Sequence, residues 1–286
     1  MSATRVEELI EEFDWFDGVY KRDEMEEALT LREEITPRLI RILEAVADDP
    51  ARYAREEHYA NVYAVALLAH FQEPAAHLPI IRAFRIPEDQ RETIWGDMVT
   101  ETLPALLFQT CNGQLAAIKE LILDKEAPEF VRGAAVGALT YAMAREVAGR
   151  EEVITFLSGL LTGTEAEVDS YFWGNVVSAI SDLHPEGAME AIRKAFADGL
   201  IPAMFITLEE VEADLRLDME EARLLLRTRV DQRTPQDVHD YLSWFACFQE
   251  SAPRPINCTL KSQQNKKKKS RAKSKLAKKA RKKNKR

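Results

Sequence analysis

Four segments of similar build recur along the middle of this chain: Asn61-Val-Tyr-Ala-Val-Ala-Leu-Leu68, Thr100-Glu-Thr-Leu-Pro-Ala-Leu-Leu107, Arg132-Gly-Ala-Ala-Val-Gly-Ala-Leu139 and Trp173-Gly-Asn-Val-Val-Ser-Ala-Ile180. Their last residues stand 39, 32 and 41 positions apart, which is the spacing of stacked two-helix units. Each segment is followed by a second helical stretch, over residues 75–84, 114–123, 151–161 and 187–196. The small residues Ala64, Ala66, Ala134, Ala135, Gly137 and Ala138 let neighbouring helices come close, while Leu and Ile fill the gaps. A single pair of this kind leaves apolar surface that only the next pair can cover.

The pattern predicts an all-α, HEAT-like, right-handed α-solenoid of about four two-helix repeats over residues 58–206, the handedness following from the fold class. Residues 1–57 are expected to form an N-terminal helical cap and 207–252 a C-terminal one. Helix start signals support this. Asp23 with Glu26 and Thr207 with Glu210 have capping-box spacing, and Thr36-Pro37 and Asp49-Pro50 each place an N-cap ahead of a first-turn proline. Thr234-Pro235 is expected to open a last helix carrying Val238, Tyr241, Leu242, Phe245 and Phe248. No stretch alternates like a strand ending in a hairpin turn.

Pro253 and Pro255 end the packed body, and charge changes there. Residues 261–286 hold 15 Lys or Arg and no acid, which leaves 24 basic against 48 acidic residues in 1–260, a net charge of −24. The overall −9 conceals an acidic body and a polycationic tail. With Leu276 as the only large aliphatic residue of the basic run over 266–286, the tail over 253–286 is expected to be disordered. Its candidate polyanion-binding residues are Lys266, Lys267, Lys268, Lys269, Arg271, Lys273, Lys275, Lys278, Lys279, Arg281, Lys282, Lys283, Lys285 and Arg286. RNA or a ribosome is the partner this composition suits. The tail has no aromatic residue to stack on bases, so sequence readout is not expected. A competing reading has the tail fold back on the acidic body as an internal counterion.

Several stretches of the body resemble a bacterial helical-repeat family catalogued as domain of unknown function eleven-eighty-six. They are Arg32-Glu-Glu-Ile-Thr-Pro37, Gly96-Asp97-Met-Val-Thr-Glu101, Val131-Arg132-Gly-Ala-Ala135, Trp173-Gly174-Asn-Val-Val-Ser178 running to Asp182-Leu-His-Pro185, the stretch from Phe205-Ile206 to Glu210-Val211, and Trp244-Phe-Ala-Cys-Phe248. The resemblance implies a fold and carries no activity. Members of that family often end in a Cys-rich zinc motif of SEC-C type. Here Pro255-Ile-Asn-Cys258 resembles only its start, the other ligands are missing, and a lysine run stands in their place.

Chemistry-bearing motifs are sparse. Cys111, Cys247 and Cys258 form no Cys-x-x-Cys pair, so reduced thiols in a cytoplasmic protein are expected. The five histidines, His58, His70, His77, His184 and His239, show no metal-ligand spacing. No metal or cofactor is therefore expected. The acidic start and the lack of a long apolar run argue against export and against a membrane partner. Trp15, Trp95, Trp173 and Trp244 are expected to anchor the core.

Two features remain as candidate sites. Asp97 and Glu101, four apart, put two carboxylates on one helix face, where they are half of a cation site or an acid–base pair, or else a cap and a partner for a base such as Arg132. The column Asn61, Thr100, Arg132, Trp173 forms a polar row with Asp97, Glu101, Asn175 and Asp182 nearby; it is a partner-binding ridge or a ladder that fixes repeat register. The expected function is a non-catalytic cytoplasmic scaffold, binding a protein or peptide on the body and a polyanion on the tail. The alternatives are a hydrolytic or metal-assisted enzyme using Asp97 and Glu101, and a structural protein whose tail neutralises its own body.

Overall fold

The computed structural model describes residues 2–55, 58–202, 204–245 and 248, which leaves the basic tail and the Phe248 end of the expected last helix largely outside the described residues. Among the described residues all regular structure is helical and the protein is all-α. The N-terminal part contains α1 (Ser2–Asp14), α2 (Arg22–Thr30), α3 (Arg32–Asp48) and α4 (Pro50–Arg55). Helix α1 turns Val6, Leu9 and Phe13 inward, and α3 turns Ile35, Leu39, Leu43 and Val46 inward. Both stripes have the three- and four-residue spacing of one helix face.

Two of the N-terminal helix starts differ from expectation. Helix α3 begins five residues before Pro37, because the Leu31 carbonyl accepts from the Glu34 and Ile35 amides at 3.1 and 2.9 Å and Ile35 is buried. Pro37 is thus inside the helix and Thr36 is no cap; the Thr36 hydroxyl donates to the Arg32 carbonyl at 2.7 Å. Asp23 lies within the first turn of α2 rather than capping it, where with Glu24 it favours the positive end of the helix dipole. Asp49 does cap α4, accepting from the Arg52 amide at 3.1 Å.

The central helices follow as α5 (Ala60–His70), α6 (His77–Phe84), α7 (Glu88–Ile94), α8 (Met98–Glu101), α9 (Leu103–Thr110), α10 (Ala116–Leu123), α11 (Glu129–Ala144), α12 (Arg150–Ser158), α13 (Tyr171–Asp182) and α14 (Met189–Ala197). The second stretches of the sequence pattern are α6, α10, α12 and α14. Of the first stretches, three are single helices, and 100–107 is broken at Thr102 into α8 and α9. The break falls where Pro104 has no N–H to offer the Thr100 carbonyl.

Helix α3 packs on α5 and α6, α5 on α9, α9 on α11, and α11 on α13, with α10 and α12 against α11. Helix α5 is buried from Ala60 to Ala69, as a helix covered on all sides must be. The approach of α9 to α11 is close: a Cβ on Gly137 would sit 3.3 Å from the Pro104 side chain. Trp95 and Trp173 are core anchors, donating their indole N–H to the Ala83 and Glu167 carbonyls at 2.8 and 2.9 Å. Trp15 and Trp244 are not; they are 72% and 57% exposed. Trp15 follows the end of α1 and falls off its buried stripe.

Then come α15 (Leu208–Asp214), opened by the Thr207–Glu210 capping box, and α16 (Met219–Arg233), capped at its start by Asp218. Helix α16 lies on α11 and buries only Ala222, Leu226 and Val230. Thr234 ends it rather than opening another α-helix. Asp237 instead caps a short 3-10 turn, Val238–Tyr241, by accepting from the His239 amide at 2.9 Å. That turn packs against α5 and α2, so the chain returns from α13 across α11 to its first helices. Among the described residues no helix is long and apolar enough to cross a membrane.

Candidate binding cleft

Helices α8, α9, α11, α13 and α16 enclose a cleft of about 550 Å³. Its wall is written at helical spacing. Helix α11 contributes Phe130, Gly133, Gly137, Thr140 and Tyr141, α13 contributes Asn175, Ser178 and Asp182, and α16 contributes Leu226, Arg229, Val230 and Arg233. Thr100, Pro104 and Phe205 complete it. Glycine at position 133 makes room: a Cβ there would fall 2.4 Å from Asn175 Nδ2. Asn175 is held over that gap by donating Nδ2–H to the Tyr171 carbonyl at 3.0 Å.

The charges divide into a committed and a loosely held pair. Arg229 hydrogen-bonds the Asp182 carboxylate. Burial pushes the Asp182 carboxyl pKa up, against the pull of the Arg229 hydrogen bond and charge. Arg233 approaches Glu101 at 4.0 Å, beyond hydrogen-bond length. Tyr141 is 5% exposed, and its hydroxyl has no well-formed hydrogen bond. Burial raises the Tyr141 pKa, opposed by the neighbouring Arg233.

Of the residues singled out from the sequence, Thr100, Asn175 and Asp182 line the cleft and Glu101 reaches its rim through Arg233. Asp97 is exposed at the start of α8; its side chain makes no capping bond, and its carbonyl accepts from the Thr100 and Glu101 amides at 3.1 and 3.0 Å. Asn61, Arg132 and Trp173 are 1%, 3% and 0% exposed and so form no surface ridge. Arg132 does not meet Glu101. It donates Nε–H to the Ile122 carbonyl and Nη1–H to the Glu165 carbonyl, both at 2.8 Å, and its guanidinium lies 3.8 Å over the Phe172 ring. It ties the end of α10 to the loop before α13. Asn61 is buried with both amide atoms unpaired.

Tyr141, Arg229 and Arg233 are among the cleft residues that sequence reasoning missed. The four-residue spacing of Arg229 and Arg233 beside Leu226 and Val230 was the available signal. Among the described residues no group of three or more His, Cys, Asp or Glu side chains could hold a metal ion. Cys111 is buried, with burial raising its thiol pKa. Cys247, Cys258 and the candidate tail residues Lys266 to Arg286 lie outside the described residues.

An uncharacterised protein of Chlamydia trachomatis serovar D is 32% identical to this chain over 208 residues, covering 72% of this chain and 82% of that protein. An uncharacterised protein of Chlamydia muridarum is 31% identical over 208 residues, covering 72% and 83%. No solved structure matches. The family model described as "Protein of unknown function (DUF1186)" matches residues 4–249, and the chain belongs to that family.

Proposed function

We propose that this protein is a non-catalytic scaffold of the bacterial cytoplasm, whose acidic body holds a protein or peptide segment and whose basic tail holds a polyanion such as RNA or a ribosome. The observation that carries the reading is the cleft between α11, α13 and α16, part apolar and part hydrogen-bonding, within the size range of about 300–1,000 Å³ typical of ligand sites. The succession of α5, α9, α11 and α13, each resting on the next, supports a HEAT-like solenoid over 58–206 between helical caps at 1–57 and 207–252. The charge split of −24 against 15 bases supports separate tasks for body and tail, the tail giving electrostatic capture and the body specificity.

The metal-assisted alternative through Asp97 and Glu101 has less support, because both residues are exposed and Glu101 faces Arg233. The test is affinity capture with the full chain and with a chain ending at Ala252, at low and high salt, quantifying nucleic acid and protein. The scaffold reading expects nucleic acid to follow only the full chain and to leave at high salt, each phosphate neutralised adding roughly −0.9 to the log–log salt slope. It expects the protein partner to follow both chains. Loss of neither partner on tail removal, with a change in salt-dependent stability alone, points instead to a tail that neutralises its own body.

A further inference from the structure

Two hydrogen-bond donors face the cleft side by side, the half-exposed Arg233 adjoining the Tyr141 hydroxyl, and neither has a carboxylate within hydrogen-bond length. The Tyr141 hydroxyl is buried without a well-formed hydrogen bond, and a phenol has one proton to give. Arg233, which also lines the cleft, reaches the Glu101 carboxylate only at 4.0 Å. A guanidinium carries five N–H donors in a fixed fork. Arg229, one helical turn earlier, already hydrogen-bonds Asp182 and is not in the same position. What this corner lacks is an anionic acceptor within hydrogen-bond length.

We propose that the Tyr141–Arg233 corner recognises a carboxylate, and that its source is the carboxyl terminus of a peptide with an apolar last residue. The inference rests on reading the cleft as a peptide site and specifies which end of the peptide enters it. A carboxylate takes two donors side by side, and a charge-assisted pair of this kind is about twice as strong as a neutral one. A monoanion suits the corner better than a phosphate dianion, because Glu101 and Asp182 stand at the same cleft. Pro104, Leu226 and Val230 supply an apolar bed for the last side chain. Asn175, which donates one Nδ2–H to the Tyr171 carbonyl, keeps its amide oxygen to accept a peptide N–H.

The experiment uses the full chain against an array of nonapeptides tethered by their N-termini, varied at the last residue, each with a free and an amidated carboxyl end. Free 4-methylpentanoate serves as competitor. The proposal expects apolar-ended free acids to bind at least about tenfold better than their amides, the cost of one charge-assisted contact. It expects Arg233→Gln to erase that preference, Arg233→Lys to keep part of it, and 4-methylpentanoate to compete only weakly. Tyr141→Phe should also weaken binding while leaving the melting temperature unchanged or higher, which a purely structural hydroxyl would not do.

Equal binding of acids and amides overturns the carboxylate assignment; if Thr140→Trp then abolishes both, the cleft remains a peptide site. Competition by 4-methylpentanoate as strong as the best peptide overturns the peptide source in favour of a small carboxylic acid. Binding of no array member overturns the proposal and the peptide reading of the cleft together, leaving the tail's partner to be judged by the capture experiment.

Discussion

Tyr20 and His239, 219 residues apart in the sequence, share a hydrogen bond of 2.7 Å. The other ring nitrogen of His239 meets the Glu26 carboxylate at 2.9 Å, so the imidazole is held between two N-terminal residues. A carboxylate accepts only, so Nε2 donates to Glu26 and Nδ1 accepts the Tyr20 proton while the ring is neutral. Two residues on, the Tyr241 hydroxyl donates to Gln109 at 2.6 Å. These bonds anchor the far end of the segment that α16 begins, and so fix the cleft wall that α16 supplies.

Tyr20→Phe removes the donor and leaves the buried His239 Nδ1 without it. An expected cost of about 1–2 kcal/mol follows, measurable as a lower urea midpoint at unchanged m-value.

Arg132 is a structural arginine. Replacing it with Ala strands two carbonyls that it now satisfies and empties the space over Phe172. A loss of roughly 2–4 kcal/mol is expected, whereas Arg233→Ala, at a side chain 49% exposed, should cost under about 0.5 kcal/mol. Equal effects in urea denaturation would sink the distinction between the two arginines.

Gly133→Ala places a Cβ 2.4 Å from Asn175 Nδ2. Overpacking of this kind costs about 1–3 kcal/mol, set against a helix-propensity gain of about 1 kcal/mol. A net loss is expected that disappears when Asn175→Ala is added, since the two changes share one contact. Gly149→Ala, with nothing within 4 Å of the added Cβ, is the control.

His77 donates Nδ1–H to Thr110 Oγ1 at 3.0 Å, because that hydroxyl spends its own proton on the Leu106 carbonyl at 2.8 Å. Its Nε2 is buried and unpaired, so protonation there is penalised and burial holds the pKa below the ordinary value of 6.5. The unfolded chain then takes up the proton more readily than the folded one. Stability is expected to be full above about 6.5 and to fall as pH drops through the window between 6.5 and the depressed folded value. His70, also lowered chiefly by burial, adds in the same direction. Thermal melts from pH 5 to pH 8 test the slope, which His77→Gln should reduce.

The helices α5, α11 and α13 were legible because small and branched residues alternate at helical spacing in segments long enough to show it. Local starts were less so. At Pro37 a buried Ile35 outweighed the usual preference for proline in the first turn, and at Pro104 the missing N–H broke a segment that reads as continuous. Asn175 and Asp182 were found through the polar row, but Arg132 and Trp173 in the same row turned inward. A long guanidinium can satisfy carbonyls from neighbouring elements, and spacing along one helix does not show where those carbonyls will be. The α16 side of the cleft was hidden because its apolar stripe is three residues wide among charges, and Tyr141 reads as core until α16 is placed beside it.

Hydrogen–deuterium exchange of the full chain, with and without the partner recovered by the body, tests the central claim most directly. The account predicts that protection gathers in α11, α13 and α16, over residues 129–144, 171–182 and 219–233, and that Arg233→Gln diminishes it. Protection confined to α1 through α4, or to the outer helices α10, α12 and α14 with the cleft unchanged, would contradict it.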